Sequence, residues 1–279
     1  MNKFLTRTLS ATVYATLFLG SIYSGRLFGD NFLGHIILAA FLLFVTVGCT
    51  FEFFRMVGLQ DSRPCRFLGY AYAALTMLGL ALVNILPAIM VIWTILLPIA
   101  FALAVIVQLW YHSEQPFREA AYTLVPMLYV ALPLGLMFSL HFNFNVLVMC
   151  IIMVWVNDSF AYMGGSLVGK HKMWARHSPG KTWEGTAIGV AGTIALALLV
   201  GPLFETSLLW YDWLVLGIIC SIVDTLGDLV ESMLKRSVGV KDSGKIMPGH
   251  GGFLDRFDSL LIVVPFVWVY LYVRFSICG

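Results

Sequence analysis

The chain has 279 residues, 60% of them hydrophobic and only 11% charged, with a mean hydropathy of +0.89 and a formal net charge of +2. This composition excludes a soluble globular domain; five cysteines, scattered mostly through apolar runs without a Cys-x-x-Cys pair, indicate neither a disulfide framework nor a zinc site. The net charge decides nothing by its sum, because where the charges sit matters more.

Apolar runs long enough to cross a bilayer as helices recur along the whole chain. They predict an all-α, polytopic integral membrane protein with about nine transmembrane helices, near residues 8–25, 32–54, 67–83, 87–110, 120–140, 145–165, 184–204, 213–232 and 257–275. A cleaved signal peptide is the alternative for the first run, disfavoured by its length and by the lack of a clean Ala-x-Ala site after it. Between the third and fourth runs only Asn84 and Pro87 interrupt the apolar sequence, a reasonable turn. With nine spans, every one of the 17 Lys and Arg residues except Arg26 and Arg274 falls on the side of the amino terminus. That asymmetry predicts a cytoplasmic amino terminus and cytoplasmic basic loops. Residues 1–119 read as transmembrane scaffold, and 120–279 as the catalytic region with cytoplasmic loops at 166–183 and 233–256. Spans one to five carry no polar constellation and are expected to serve as scaffold or dimer surface.

The later spans differ. Asn157, Asp158 and Tyr162 make a polar strip in the sixth span. Gly185, Gly189 and Gly192 give the seventh a small-residue face that lets a neighbouring helix approach closely. In the eighth, Asp224, Asp228 and Glu231 fall at i, i+4 and i+7, which stacks three like charges on one face and calls for a counter-cation. Ionisable groups inside a span are costly and usually functional. Asp158 and Asp228 lie before the ends of their spans by roughly 6–10 Å at about 1.5 Å per residue, and Asp255 and Asp258 begin the ninth span from the same side. Acidic groups from three helices are thus expected to share one inward-facing site, with buried ion pairs as the alternative reading. Oxygen ligands without His or Cys partners favour a hard cation such as Mg²⁺, one ion or two, which takes a few carboxylates together with substrate phosphates. A monovalent cation stands as a further candidate.

Two basic loops accompany these carboxylates. The first holds Lys170, His171, Lys172, Arg176 and then Ser178-Pro179-Gly180-Lys181-Thr182-Trp183-Glu184-Gly185. It contains a near match to a P-loop from Gly164, but His171 stands where Ser or Thr would bind the metal and a membrane helix precedes it, so that reading is rejected. The second gathers Lys235, Arg236, Lys241, Lys245 and Arg256 with Asp242, Asp255 and Asp258, and places Gly244, Gly249, Gly251 and Gly252 around His250. Cations, carboxylates and bare backbone together describe a phosphate site with a metal; a solvated loop that only sets topology is the plainer alternative.

The second loop resembles the signature of the phosphatidate cytidylyltransferases (CDP-diacylglycerol synthases): Ser232-x-x-Lys235-Arg236, then Lys241-Asp242-x-Gly244, then Pro248-x-His250-Gly251-Gly252-x-x-Asp255-Arg256-x-Asp258. Asp158-x-x-Ala161-Tyr162-x-x-Gly165 and the Ser178–Gly185 element are similar to further family motifs. The one small departure is Met247, where a different apolar residue is expected. The resemblance implies an enzyme that condenses CTP with phosphatidic acid at the bilayer to give CDP-diacylglycerol and pyrophosphate, in the cytoplasmic membrane with its active site facing the cytoplasm. Asp228 and Asp255, then Asp224 and Asp258, are expected to hold the metal, while Lys235, Arg236, Lys241 and Arg256 neutralise phosphates. Substrate contacts are expected from Asp158, Tyr162, Ser178, Lys181, Thr182, Glu184, Glu231, Asp242, His250, Gly251 and Gly252. Ser178 equally suits capping of the seventh helix. Family membership also implies a homodimer, and no nucleic-acid partner is expected. The rival readings are a CTP-dependent polyprenol or phytol kinase-type enzyme and a cation channel or transporter.

Overall fold

The computed structural model describes residues 3–27, 32–58, 63–82, 88–110, 114–140, 143–244, 246 and 251–277. Among them nine helices follow the apolar runs: α1 Lys3–Leu27, α2 Phe32–Met56, α3 Arg63–Ala81, α4 Ala88–Val107, α5 Pro116–Leu140, α6 Phe144–Val168, α7 Trp183–Phe204, α8 Trp210–Ser237 and α9 Leu254–Ile277. Six of these are long and apolar enough to cross a membrane: α2 and α5 to α9; Cys65–Ala81 and Pro98–Trp110 are shorter apolar helices. The chain is therefore an all-α polytopic membrane protein, with six spans supported by length and composition where nine were expected. A two-stranded antiparallel hairpin, β1 Lys172–Trp174 and β2 Ser178–Thr182, interrupts the helical pattern in a segment expected to be loop.

Two helices contain a π-turn. In α5 it spans Met127–Ala131, just ahead of Pro133, whose missing N–H cannot donate to the Tyr129 carbonyl; the wider turn accommodates that break. In α8 it spans Ile219–Val223 and ends at Asp224, so the acidic stripe begins where the helix has been re-phased.

The chain folds as two compact units. The first comprises residues 1–139 and 242–256. Its core is apolar, with Phe18 and Ile22 of α1, Leu38, Leu42, Val45 and Phe53 of α2, Met77 of α3 and Leu134 and Met137 of α5 all buried. Small residues receive large ones: a Cβ at Gly69 would strike the Phe54 ring, and one at Gly135 would strike Leu80.

The second unit comprises residues 140–241 and 257–279. Helices α6 and α7 meet backbone to backbone, as the small-residue face predicts. A Cβ at Gly185 would collide with the Ala161 carbonyl and Gly165, one at Gly189 with Asn157, and one at Gly192 with Phe160. Further along α7, Gly201 makes room for the fully buried Trp213 of α8. At the start of α8, buried Asp212 accepts from Leu209 N (2.8 Å), and from α9 it accepts Tyr270 Oη (2.6 Å) and Arg274 Nε (3.1 Å), which satisfies the helix end and pairs its charge.

Candidate active site

The close approach of α6 and α7 leaves an open cavity of about 390 Å³ in the second unit, between α6, the hairpin and α8. Its walls are Asn157, Asp158, Ala161, Tyr162, Gly165 and Ser166 of α6; Ser178, Gly180, Lys181 and Thr182 of β2; Thr186 of α7; and Thr225 and Asp228 of α8. Six of the residues expected to contact substrate or metal, Asp158, Tyr162, Ser178, Lys181, Thr182 and Asp228, thus line one cavity.

Electrostatics inside it centre on one pair. Lys181 Nζ lies 2.7 Å from Asp228 Oδ2 and 3.3 Å from the Thr225 carbonyl, which it also meets as a donor. Ser232 Oγ donates to Asp228 Oδ1 at 3.4 Å. Both partners of the ion pair are partly exposed, at 19% and 30% of their side chains, which leaves the ammonium accessible to an anion and the carboxylate to a cation.

Behind Asp228, the carboxylates of Glu231 and Asp258 lie close enough that one oxygen from each and one from Asp228 fall within 4.8 Å of one another. Three hard oxygen donors at that separation suit a hard divalent cation. Glu231 is fully buried and ion-paired with Lys235 one turn on. The ammonium offsets the charge of a carboxylate that burial would otherwise make costly.

Asp224 lies one turn before Asp228 on the same regular helix, as its i, i+4 spacing predicts, but its carboxylate is engaged elsewhere. It is buried, its Oδ2 accepts from Asn157 Nδ2 at 2.6 Å, and it stands outside the three-carboxylate group. The π-turn ends just before Asp224, so Asp224, Asp228 and Glu231 keep regular helical spacing and the difference lies in the neighbours each one meets.

The hairpin motif carries structural duties as well. Thr182 is the N-cap of α7 and accepts from Gly185 N at 3.2 Å. Glu184 accepts from the backbone amides of Lys170 (3.1 Å) and His171 (3.2 Å) and pairs with the His171 ring, which ties the end of the α6 connection to the first turn of α7. It does not line the cavity. Ser178 lies on β2 and not at the helix cap. The Trp174 and Trp183 rings are tilted against each other at 6.3 Å. At the end of α8 Arg236 donates to the Val240 carbonyl at 3.0 Å, and Lys241 is exposed.

The rest of the signature loop belongs to the first unit. Asp242 is exposed, and Lys245 and His250 lie outside the described residues. Asp255 Oδ2 accepts from Ser243 N (2.9 Å), Ser243 Oγ (2.8 Å) and Gly252 N (2.8 Å). Gly251 has φ +81°, a left-handed conformation that glycine adopts without strain, and a Cβ there would collide with the Asp255 carboxylate. Arg256 accepts at its carbonyl from Tyr14 Oη of α1 at 3.3 Å.

One polar residue escaped the sequence reading. Glu52 of α2 is 1% exposed, and its Oε2 accepts from Ser243 Oγ (3.0 Å) and Leu254 N (2.9 Å). The reading of spans one to five as scaffold without a polar constellation passed over Glu52, which anchors part of the signature segment. The signal was present: a lone carboxylate in an otherwise apolar run is a site candidate by default.

A model of the cytidylyltransferase family matches residues 5–274. Among curated relatives, a phosphatidate cytidylyltransferase of Staphylococcus saprophyticus is 38% identical over 156 residues, one of Staphylococcus epidermidis is 39% identical over 158, and one of Staphylococcus aureus is 40% identical over 164. Each match covers 56% of this chain and 60% of the relative, so the chain spans about three fifths of the length of the curated relatives it matches.

Proposed function

The chain belongs to the cytidylyltransferase family, and from that premise we propose that it is a phosphatidate cytidylyltransferase, joining CTP to phosphatidic acid to form CDP-diacylglycerol and pyrophosphate. The observation that carries the reading is the Lys181–Asp228 pair, exposed in a cavity walled by the two family-like motifs and backed by Glu231 and Asp258. A cation beside acidic donors is what a nucleoside triphosphate with its metal requires: the ammonium meets phosphate oxygens while the carboxylates meet the ion.

In this mechanism a phosphate oxygen of phosphatidic acid attacks the α-phosphorus of CTP in line. A new P–O bond forms to the lipid phosphate, the bond to the β-phosphate oxygen breaks, and pyrophosphate leaves with the electron pair. A phosphate monoester with a second pKa near ~6 is largely dianionic at neutral pH, so no protein base is required. Catalysis rests on positioning and charge neutralisation. Lys181 holds CTP phosphates in the cavity, and Lys235, Arg236, Lys241 and Arg256 neutralise charge on the two anions. Asp228 and Asp255, with Asp224, Asp258 and the buried Glu231 in support, serve one or two Mg²⁺ ions, with a monovalent cation as a further candidate. Bound there, Mg²⁺ supplies Lewis-acid neutralisation of phosphate charge. Asp158, Tyr162, Ser178 and Thr182 shape the nucleotide pocket, and Asp242, His250, Gly251 and Gly252 bring backbone and polar groups to the phosphates. Glu184 contributes by fixing the hairpin.

The lipid substrate keeps its acyl chains in the leaflet, and CTP arrives from water. The uneven distribution of Lys and Arg supports a site that faces the cytoplasm of the cytoplasmic membrane. A homodimer is proposed on family grounds.

The test is parallel incubation of the purified protein with phosphatidic acid, Mg²⁺ and CTP radiolabelled at the α-phosphate or at the γ-phosphate. Label in CDP-diacylglycerol is the expected result. Label reaching lipid only from the γ-phosphate identifies a kinase, and metal-dependent ion flux without incorporation identifies a transporter; either overturns the proposal.

A further inference from the structure

We propose that Glu52 is a positioning residue for the signature segment, holding Ser243 and the start of α9 so that Asp255 presents its carboxylate in one fixed orientation. The inference rests on the reading of Asp255 as a metal-binding carboxylate.

All the groups concerned belong to the first unit. Glu52 sits in α2, and its partners lie 191 and 202 residues further along the chain. Its Oε2 takes the Leu254 amide, which is the first residue of α9 and would otherwise be an orphan donor at a buried helix end. The same oxygen faces the Ser243 hydroxyl, and that hydroxyl also faces Asp255 Oδ2 at 2.8 Å. Ser243 thus bridges the two carboxylates, and its own amide donates to Asp255. The other oxygen, Oε1, is buried without a hydrogen-bond partner among the described residues, and it is covered by backbone. A Cβ at Gly244 or at Gly252 would run into the Glu52 carboxylate, so both glycines are seated directly upon it.

The arrangement is a clamp. Gly252 N binds Asp255 while the Gly252 backbone lies against Glu52, and Ser243 binds both acids, so the segment is tied at each end. A lone carboxylate in an apolar helix is expensive to bury. Its hydrogen bonds all go to the segment that delivers Asp255. Glu52 acts through that segment, in the way that outer groups orient metal-ligating carboxylates and set their affinity.

The experiment uses the full-length protein in detergent, comparing wild type with Glu52→Ala, Glu52→Gln and Ser243→Ala. Hydrogen exchange without substrate reads the clamp directly. Faster exchange in peptides covering 242–254, with peptides from α6 and α7 unchanged, is expected for Glu52→Ala and to a smaller degree for Ser243→Ala; unchanged exchange in 242–254 overturns the proposal. The Mg²⁺ concentration for half-maximal CTP incorporation is expected to rise about tenfold or more in Glu52→Gln, a shift that loss of packing alone does not produce. An unaltered Mg²⁺ requirement in an active variant likewise overturns it. If Glu52→Ala does not fold, Glu52→Gln and Ser243→Ala decide. If wild type itself transfers no cytidylate, the proposed function fails, while the exchange measurement still decides whether Glu52 holds the segment.

Discussion

Lys181 of the hairpin and Asp228 of α8 form an ion pair at 2.7 Å between two walls of one cavity. The pair joins two motifs that lie far apart in the chain. Each side chain holds the other in place. Lys181→Met and Asp228→Asn are each expected to lower kcat/KM for CTP by about a hundredfold or more, the scale on which one preorganised charged group contributes to a transition state. The double variant is expected to lose less than the product of the single losses, because the two act as a unit. Strictly multiplicative losses in the CTP incorporation assay would separate them into independent groups.

Asn157 is the amide partner of buried Asp224, with Nδ2 at 2.6 Å from Oδ2 and further contacts at 3.3 Å to the Ser221 carbonyl and the Thr225 hydroxyl. Asn157→Leu removes the donor and strands a buried carboxylate. We expect a loss of about 1–3 kcal/mol in stability. Thermal unfolding in detergent measures it, and an unchanged midpoint would show that Asp224 is satisfied by other groups.

Two glycines in neighbouring elements should respond in opposite ways. A Cβ at Gly189 meets Asn157 Oδ1 at 2.8 Å and its carbonyl at 2.9 Å, whereas one at Gly180 meets nothing within 4 Å. Gly189→Val is expected to force α6 and α7 apart, costing several kcal/mol or preventing accumulation of folded protein. Gly180→Ala is expected to stay within about 0.5 kcal/mol of wild type. Comparable melting behaviour for both variants would contradict the close α6–α7 contact.

Thr182 accepts from Gly185 N as the N-cap of α7. Thr182→Ala should cost about 1 kcal/mol, and Thr182→Ser, which keeps the hydroxyl, a few tenths at most. The cap is judged by the difference between the two melting temperatures. Equal destabilisation by Ala and Ser would mean that the lost methyl, not the hydroxyl, matters.

Much of this architecture was legible before any coordinates. The helices follow the apolar runs, because each residue's cost of transfer into a hydrocarbon layer is its own property and sums along a window. The glycines of α7 likewise announced a close helix contact. The hairpin was read as loop since Lys172–Thr182 shows no alternation of apolar and polar residues, and its strands are short. Asp224, Asp228 and Glu231 do share one regular helical stretch, as their spacing predicts; that Asp224 is taken by Asn157 while the other two meet Asp258 is a matter of contacts between helices, which spacing has no means of anticipating.

What the amino-acid sequence determined by itself was the membrane-embedded all-α class and the identity of the acidic and basic residues available for chemistry. Tertiary structure alone decided which of them meet across elements: Lys181 with Asp228, Asn157 with Asp224, and Glu52 with Ser243 and Leu254. The reason is physical. Hydropathy is a sum of one-body terms that any window of the chain reveals, whereas the pairing of a buried charge is a two-body term between groups brought together only when the helices pack.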